Sequence, residues 1–544
     1  MGFMKLKKNI SIMLVIGLMS STLIGCSNTS SDAGKSLDKE NARKANNELI
    51  AAVTSEPETG FDATDTGHGD MTSVFFSTLF KRNKNLGMEN DLAKSYEISE
   101  DRLTWTVKIR EDVKFTDGEN LTAEDVVYTY EIAKNSGSSI DLTMLDSVSK
   151  VDDYTVEFKL KNPQSTFIEK LATVGIVPKH AHNEGFSDNP IGSGPYKLVQ
   201  WDKGQQVIAE ANENYYGEKP SIKKLTMVFM DDDTAYAAVK AGEVDIASIP
   251  GSFAKEEVEG KKLIELDSIE TYGVAYPMEK PGKTTADGYP IGNAVTSDET
   301  IRKALTYAID REELVEGILE GYGAPSSTGL EKMPWLNEET IIKPEEDGKI
   351  EEAKKMLEEA GWKDTNNNGT IDKDGVEAEF DLLYTDGKYR QELGLAYVEV
   401  AKKLGIKVNL ENRNWDTIVP EINSQAVLYG FGSGDPSEIY NLYSSKTFGV
   451  GVPWNNSGYY QNDKVDEYID KALQSEDEDS ALEYWKKAQW DGETGFSHMG
   501  DCAYTWFVNA GHLYLADEDL DIGTPVVQPH GGKVLYNITE WSWK

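Results

Sequence analysis

A short segment in the second half of the chain carries side-chain oxygens at the spacing of a calcium-binding loop. The segment Asp364–Asp372 reads D-x-N-x-N-G-x-x-D. Calcium prefers oxygen ligands, and loops of this kind need a glycine at the sharp turn, which Gly369 supplies. Position twelve is Gly375 instead of the usual bidentate glutamate, although Asp374 lies beside it. The sequence therefore predicts a calcium site in the 364–375 loop, and the alternative is an Asx-rich turn after a helix. The predicted ligands are Asp364, Asn366, Asn368 and Asp372.

None of the common catalytic motifs occurs in the sequence. The six histidines form no HExxH pattern and no cysteine–histidine zinc pattern. A GxSxG elbow and a phosphate-binding loop are also missing. Acidic residues are so abundant that a glycosidase-like pair of carboxylates stays open. An exported hydrolase is therefore one alternative function at this point.

The first 26 residues have the order of features of a lipoprotein signal. Three lysines precede a short apolar stretch from Ile10 to Met19, and the tetrapeptide LIGC, which ends at Cys26, resembles a lipobox. The apolar stretch is short for a transmembrane span. We expect residues 1–25 to be removed, Cys26 to be lipidated, and residues 26–46 to form a polar tether. The alternative is an anchor helix that is retained in the membrane.

Charge and composition exclude several classes of partner. The formal charge of the full chain is −39, and removal of residues 1–25, which contain three lysines and no acids, changes it to −42. Such a surface repels nucleic acid and anionic lipid, so we expect no nucleic-acid partner. The chain has two cysteines, Cys26 and Cys502, and lipidation of the first leaves no disulfide framework. The length of 544 residues indicates more than one domain.

The elements that must position any site follow from the pattern of apolar residues. From Leu103 to Arg110 apolar and polar residues alternate, which predicts a strand with one buried face. A turn at Thr116–Gly118 follows, and Thr122 with Asp125 has the spacing of a capping box at the start of a helix. Later strands and helices alternate along the chain, which predicts an α/β fold.

The amino-acid sequences of these elements resemble those of a known family. The segment from Leu103 to Glu131, LTWTVKIREDVKFTDGENLTAEDVVYTYE, resembles the signature of the family 5 solute-binding proteins of ABC importers. Three further segments also match that family: NPIGSGPY, YAAVKAGEVDI and IRKALTYAIDREELVEGIL. The resemblance runs from about Leu49 to Trp541. It implies a solute-binding protein that delivers peptides or nickel-type metal chelates to an ABC permease with its ATPase, and not an enzyme. A surface receptor built on the same fold is the other alternative.

The resemblance also implies an architecture and a location. It implies an α/β, two-lobed, periplasmic-binding-protein-like fold of the cluster C type, with an extra small domain in the first lobe and the ligand between the lobes. We expect a monomer, held on the outer face of the cell membrane by its lipid and needing no cofactor except calcium or a metal carried by the ligand. The expected segments are 1–25 (signal peptide), 26–46 (tether), 47–78 with 190–268 and 508–544 (main domain of lobe I), 79–189 (extra domain) and 269–507 (lobe II).

The segment Leu428–Tyr460 resembles the ligand-facing segment of the family. Its glycines would let a ligand approach the backbone, its aromatic residues would form flat walls, and its asparagines would act as paired donors and acceptors. The histidine in the loop after the first strand is expected to face the same cleft; an exposed loop histidine is the alternative. The resulting ligand contacts are His68, Gly432, Ser433, Asp435, Tyr440, Trp454, Asn455, Asn456 and Tyr459.

Two departures from the family bear on the ligand. Peptide binders often carry an aspartate three residues before the Asp-Pro pair, to hold the amino group of the peptide, and here that position is Gly432. Nickel-chelate binders often carry an arginine after the Leu171-Ala172 pair, and here no arginine follows. We therefore expect ordinary peptides with a free amino group to bind weakly, and a chelate or a modified peptide to bind better.

Overall fold

The computed structural model describes residues 39–57, 59–65, 71–136 and 140–544. The predicted signal peptide, the lipidation site Cys26 and the predicted ligand contact His68 lie outside these ranges.

Lobe I is organised around a mixed seven-stranded sheet. The first strand, Glu48–Val53, is parallel to its two neighbours, while the other pairings are antiparallel. Alternation along this strand supplies two cores, because Leu49 and Ala51 pack on one face of the sheet and Ala52 packs on the other. The strand order is Lys261–Leu266, His512–Asp517, Ile246–Ser248, Glu48–Val53, Lys224–Phe229, Gln206–Ala211 and Tyr196–Asp202.

The extra domain contains an antiparallel four-stranded sheet covered by one helix. The alternating segment forms the strand Thr104–Ile109, with Trp105, Val107 and Ile109 buried. Thr122 caps the helix Ala123–Ala133, and both hydrogen bonds of the predicted capping box are present. The strand order is Ala93–Ile98, Thr104–Ile109, Thr155–Leu160 and Leu145–Asp152.

Lobe II has a mixed six-stranded sheet with helices on both faces. Successive residues of the strand Glu379–Tyr384 enter different cores, since Leu382 packs with the helix Glu299–Ala308 and Leu383 packs with the helix Asp463–Leu473. The strand order is Gly323–Pro325, Tyr504–Ala510, Thr271–Ala275, Ala426–Phe431, Glu379–Tyr384 and Lys407–Asn412.

The chain passes between the two large sheets at two adjacent places. It leaves lobe I after Leu266 and enters the lobe II sheet at Thr271, and it returns between Ala510 and His512. The strand Tyr504–Ala510 pairs entirely within lobe II, so this lobe continues past the expected boundary at residue 507.

The carboxyl-terminal end of the expected polar tether belongs to the folded structure. Residues 39–45 are helical and bound to lobe I. Arg43 lies 2.7 Å from the buried carboxylate of Asp245, and Lys44 lies 2.8 Å from that of Asp517. These two ion pairs hold residues that composition alone assigns to a free polar segment.

None of the helices in the described ranges is both long and apolar enough to span a bilayer. The remaining helices and strands connect the layers described above. The further α-helices are Thr72–Phe75, Phe167–Leu171, Asp232–Lys240, Gly251–Ala254, Arg311–Gly317, Ile350–Glu359, Arg390–Lys403, Trp415–Ile418, Ser437–Tyr443 and Glu478–Gln489. The 3₁₀ helices in the described part of the chain cover Glu338–Thr340, Pro344–Glu346, Ser445–Thr447 and Val534–Glu540. Two-stranded ribbons pair Phe80–Arg82 with Met88–Asn90, Lys283–Thr284 with Pro290–Ile291, Asp372–Lys373 with Val376–Glu377, and Leu520–Asp521 with Ser542–Trp543.

Candidate ligand-binding site

Two glycines at the end of the strand Ala426–Phe431, Gly430 within it and Gly432 just after it, lie against protein. A Cβ atom on Gly430 would lie 2.8 Å from Cε1 of His530. At Gly432 the backbone has φ of +137°, and a Cβ atom there would overlap the carbonyl oxygen of Ile269 on the first crossing between the lobes. These glycines permit close packing at the junction of the two lobes, whereas the sequence suggested that they make room for ligand.

Ser433 and Asp435 form a hydrogen-bonded loop at this junction. The amide of Asp435 donates to Oγ of Ser433 at 3.1 Å, and Oδ1 of Asp435 accepts from the amide of Ser437 at 2.8 Å. The other carboxylate oxygen, Oδ2, lies 3.1 Å from Nζ of Lys170 in the extra domain. The carboxylate of Glu438 accepts hydrogen bonds from the amides of Gly432 and Ser433. These hydrogen bonds hold the loop, and the carboxylates of Asp435 and Glu438 already have partners.

The predicted aromatic walls lie in different surroundings. Trp454 is half-buried and packs with its ring centroid 5.6 Å from that of Trp415, which in turn stacks on Tyr429 at 5.9 Å. Tyr459 stacks instead on Phe448, with ring centroids 4.5 Å apart. The half-buried Tyr440 packs against the same core as Trp454. Sequence reasoning did not include Trp415 in this aromatic group. The available signal was its position just after the strand Lys407–Asn412.

The two asparagines hold the loop that contains them. Both amide hydrogens of Asn456 are donated to backbone carbonyls, at 2.9 Å to Ser444 and 2.8 Å to Tyr460, and its Oδ1 accepts from the amide of Tyr460 at 2.8 Å. Asn455 donates to the carbonyl of Val450 at 2.8 Å. Both amide hydrogens of Asn456 thus already bond to the backbone of its own loop. We therefore assign this side chain a structural role in place of the predicted ligand contact.

A buried carboxylate links the two crossings between the lobes. Glu270, on the first crossing, accepts a hydrogen bond from Tyr272 and lies 2.8 Å from Nε2 of His512 on the second crossing. The ring of His530 lies 3.4 Å from the same carboxylate. Burial alone would raise the pKa of Glu270, but the bonds and charges of His512 and His530 hold it well below the usual range. Sequence reasoning assigned no role to Glu270.

The loop that follows the first strand is tied to the extra domain. Oδ2 of Asp62 lies 2.8 Å from Nε2 of His182, and Nδ1 of His182 lies 2.9 Å from the hydroxyl of Tyr128. Burial would raise the pKa of Asp62, but the bond from His182 and those from Thr64 keep it below its ordinary value. This chain of contacts positions the described part of the loop around Asp62.

The 364–375 loop is folded around its own polar side chains. The carboxylate of Asp364 accepts from the amides of Asn368 and Gly369, at 3.1 and 2.9 Å. The amide groups of Asn366 and Asn368 both reach Oε1 of Glu377, at 3.0 and 2.7 Å. The oxygens of these two side chains accept from backbone amides of the loop, Oδ1 of Asn366 from Asn368 at 2.9 Å and Oδ1 of Asn368 from Thr370 at 2.8 Å.

Two of the loop's features bear on the calcium prediction. The carboxylate of Asp372 accepts hydrogen bonds from the amide and the hydroxyl of Thr365. Within the described ranges, no three His, Cys, Asp or Glu side chains converge on a metal position. Glu377 is a carboxylate that the sequence pattern did not include. Calcium binding in this loop therefore stays a prediction.

Comparisons with known proteins identify the family of this chain. Residues 87–451 match the family model of the bacterial extracellular solute-binding proteins, family 5. Protein XP55 of Streptomyces lividans is 34% identical over 488 residues, which is 86% of this chain and 85% of XP55. The oligopeptide-binding protein AppA of Bacillus subtilis is 29% identical over 559 residues, or 98% of this chain and 97% of AppA.

Solved structures show the same two-lobed architecture. NikZ from Campylobacter jejuni, in complex with Ni(L-His), superposes with a TM-score of 0.78 at 25% identity, over 91% of this chain and 99% of NikZ. AppA from Bacillus subtilis, in complex with a nonapeptide, superposes with a TM-score of 0.74 at 27% identity, over the same shares of the two chains. These similarities confirm the α/β, two-lobed fold. The chain belongs to the bacterial extracellular solute-binding proteins, family 5, and is a binding protein of a transport system, not an enzyme.

Proposed function

We propose that this protein is the lipid-anchored solute receptor of an ABC importer, and that it captures a modified peptide or a metal chelate between its lobes for delivery to a permease and its ATPase. The observation that carries the proposal is the position of the 432–438 loop, where the first crossing, the extra domain and lobe II meet. Ligands of two-lobed proteins bind at such junctions, because closure of the lobes then buries them. The relatives that bind a nonapeptide and Ni(L-His) support these two ligand classes.

The choice within these classes rests on charge. A peptide with a free amino terminus needs an unpaired carboxylate, and the carboxylates of the 432–438 loop are already paired. Gly432 cannot carry the aspartate of the peptide-type pattern, because a Cβ atom there would overlap the first crossing. A polar site rejects a ligand whose buried groups it leaves unpaired. We therefore expect plain peptides to bind less tightly than a chelate or a peptide with a blocked amino terminus.

The ligand class is tested by mass spectrometry of the molecules that co-purify with the protein, followed by calorimetry. The titrants are di- to pentapeptides with free and acetylated amino termini, and nickel with and without histidine. We expect Trp454→Ala and His68→Ala to weaken binding, and Tyr96→Ala, which removes an exposed ring of the extra domain, to leave it unchanged. Tight binding of plain peptides that neither Trp454→Ala nor His68→Ala affects would refute both the ligand preference and the site.

The anchor is tested separately. Cys26 is the proposed lipidated residue, since LIGC resembles a lipobox. In cells fed labelled palmitate, the Cys26→Ala protein should be unlabelled and released into the medium, while Cys502→Ala, which alters a buried thiol, should stay labelled and cell-bound. Equal labelling of Cys26→Ala and the wild type would exclude Cys26 as the lipidated residue. We also propose a monomer on the outer face of the membrane, and a single monomeric mass in light scattering is the expected result.

A further inference from the structure

An ion pair joins the extra domain to the 432–438 loop of lobe II. Lys170 lies on the short helix Phe167–Leu171 of the extra domain, and its Nζ is 3.1 Å from Oδ2 of Asp435 and 3.3 Å from Oγ of Ser437. The side chains of Lys170 and Asp435 are each 14% exposed. Burial lowers the pKa of Lys170, but attraction to Asp435 and its other acidic neighbours more than offsets this, so the lysine stays charged.

Acidic residues surround Lys170. Two cations, Lys170 and Arg82, lie among them. Arg82 pairs with Glu169. The carboxyl groups that act on Lys170 are Asp435, Asp141 and Glu169. Burial and the charge of Asp435 raise the pKa of Glu169 to about 8. Lys170 is thus the cation paired with Asp435, while Arg82 pairs with Glu169.

Asp435 is held ready to bind a cation. Its Oδ1 is fixed by the amide of Ser437, and its backbone is fixed by Ser433, so the carboxylate keeps its position whether or not Lys170 is present. The loop also touches the crossing, since a Cβ atom on Gly434 would lie 3.2 Å from Cδ1 of Ile269 and 3.5 Å from Cζ of Arg82. A buried carboxylate without its cation is energetically costly, and a new cation that pairs with it removes this cost.

We propose that Lys170 is a specificity-determining residue, which supplies from within the chain the ammonium group that Asp435 would otherwise take from a ligand, so that this end of the cleft selects solutes without a free amino group. The inference deepens the proposed function and rests on it for the identity of the solute. The pairing itself is a property of the protein alone. It can therefore be tested with a small amine, without any peptide.

The first test is chemical rescue of Lys170→Ala. Removal of the side chain leaves the carboxylate of Asp435 without its cation. It also leaves an empty space of about the length of an alkylammonium ion. We expect a lower melting temperature, which millimolar propylammonium chloride restores toward the wild-type value. Tetramethylammonium chloride, a cation that cannot donate a hydrogen bond, should restore much less. Propylammonium should have no such effect on the wild type, on Lys170→Arg, or on Lys170→Ala with Asp435→Asn.

The second test measures selectivity by calorimetry. We expect the ratio of affinities for a free-amino peptide over its acetylated form to rise roughly tenfold or more from wild type to Lys170→Ala, and to fall back when Asp435→Asn is added. Lys170→Met, which keeps the buried aliphatic chain, serves in both tests if Lys170→Ala does not fold.

The outcomes separate the two proposals. Failure of propylammonium to stabilise either lysine variant, or equal stabilisation of the Asp435→Asn double variant, would overturn the inference. Rescue by propylammonium without peptide binding by any variant would support the inference about Lys170 and refute only the peptide class in the proposed function.

Discussion

Substitution of Gly432 by alanine tests the tight junction between the loop and the first crossing. The backbone at this position has φ of +137°, a region that side chains other than glycine rarely adopt, and forcing it costs about 1–3 kcal/mol. The added methyl group would also overlap the carbonyl oxygen of Ile269, and overpacking of this kind costs about 1–3 kcal/mol more. We therefore expect Gly432→Ala to lower the free energy of unfolding by about 2–6 kcal/mol, a large part of the stability of an ordinary domain.

Gly449 provides the matched control. It also has positive φ, +63°, but no atom lies within 4 Å of a Cβ placed there. Gly449→Ala should therefore cost only the conformational strain, about 1–2 kcal/mol. Urea unfolding followed by tryptophan fluorescence compares the two, with transition midpoints reported because several domains need not unfold in one step. Equal midpoints for the two variants would refute the close contact between residue 432 and the crossing.

Three further predictions concern other parts of the chain. Burial lowers the pKa of His498 from 6.5 to about 4, so the neutral ring stabilises the fold fully above pH 6.5, and about 3 kcal/mol of stability is lost as the pH falls toward 4; His498→Gln should flatten the acid side of the stability profile, and an unchanged profile would contradict this. Millimolar calcium should raise the melting temperature of the wild type but not of Asp364→Ala, because a ligand that binds only the native state stabilises it; identical melting curves in calcium and in chelator would count against the site. Asn456→Ala should lower the free energy of unfolding by about 2–4 kcal/mol, since it leaves buried backbone groups unpaired; a loss of ligand affinity at unchanged stability would instead restore its predicted role as a ligand contact.

Part of the candidate site was accessible from sequence. The segment 428–460 was identified by its resemblance to the family, and its loop does lie at the junction of the lobes, in contact with the first crossing. The roles of individual residues were less accessible. Asn456 looks the same in sequence whether its amide faces a ligand or the backbone of its own loop, and only the positions of Ser444 and Tyr460 decide between these.

The sequence by itself determined the local elements and the family. The strand Thr104–Ile109 and the capped helix Ala123–Ala133 follow from apolar alternation and capping between residues a few positions apart. The tertiary structure alone decided which distant residues meet. Lys170 and Asp435 are 265 positions apart, and Glu270 and His512 are 242 apart. Such pairs depend on how the lobes and the extra domain pack together, and the period of a strand or a helix records only which side of its own element a residue faces.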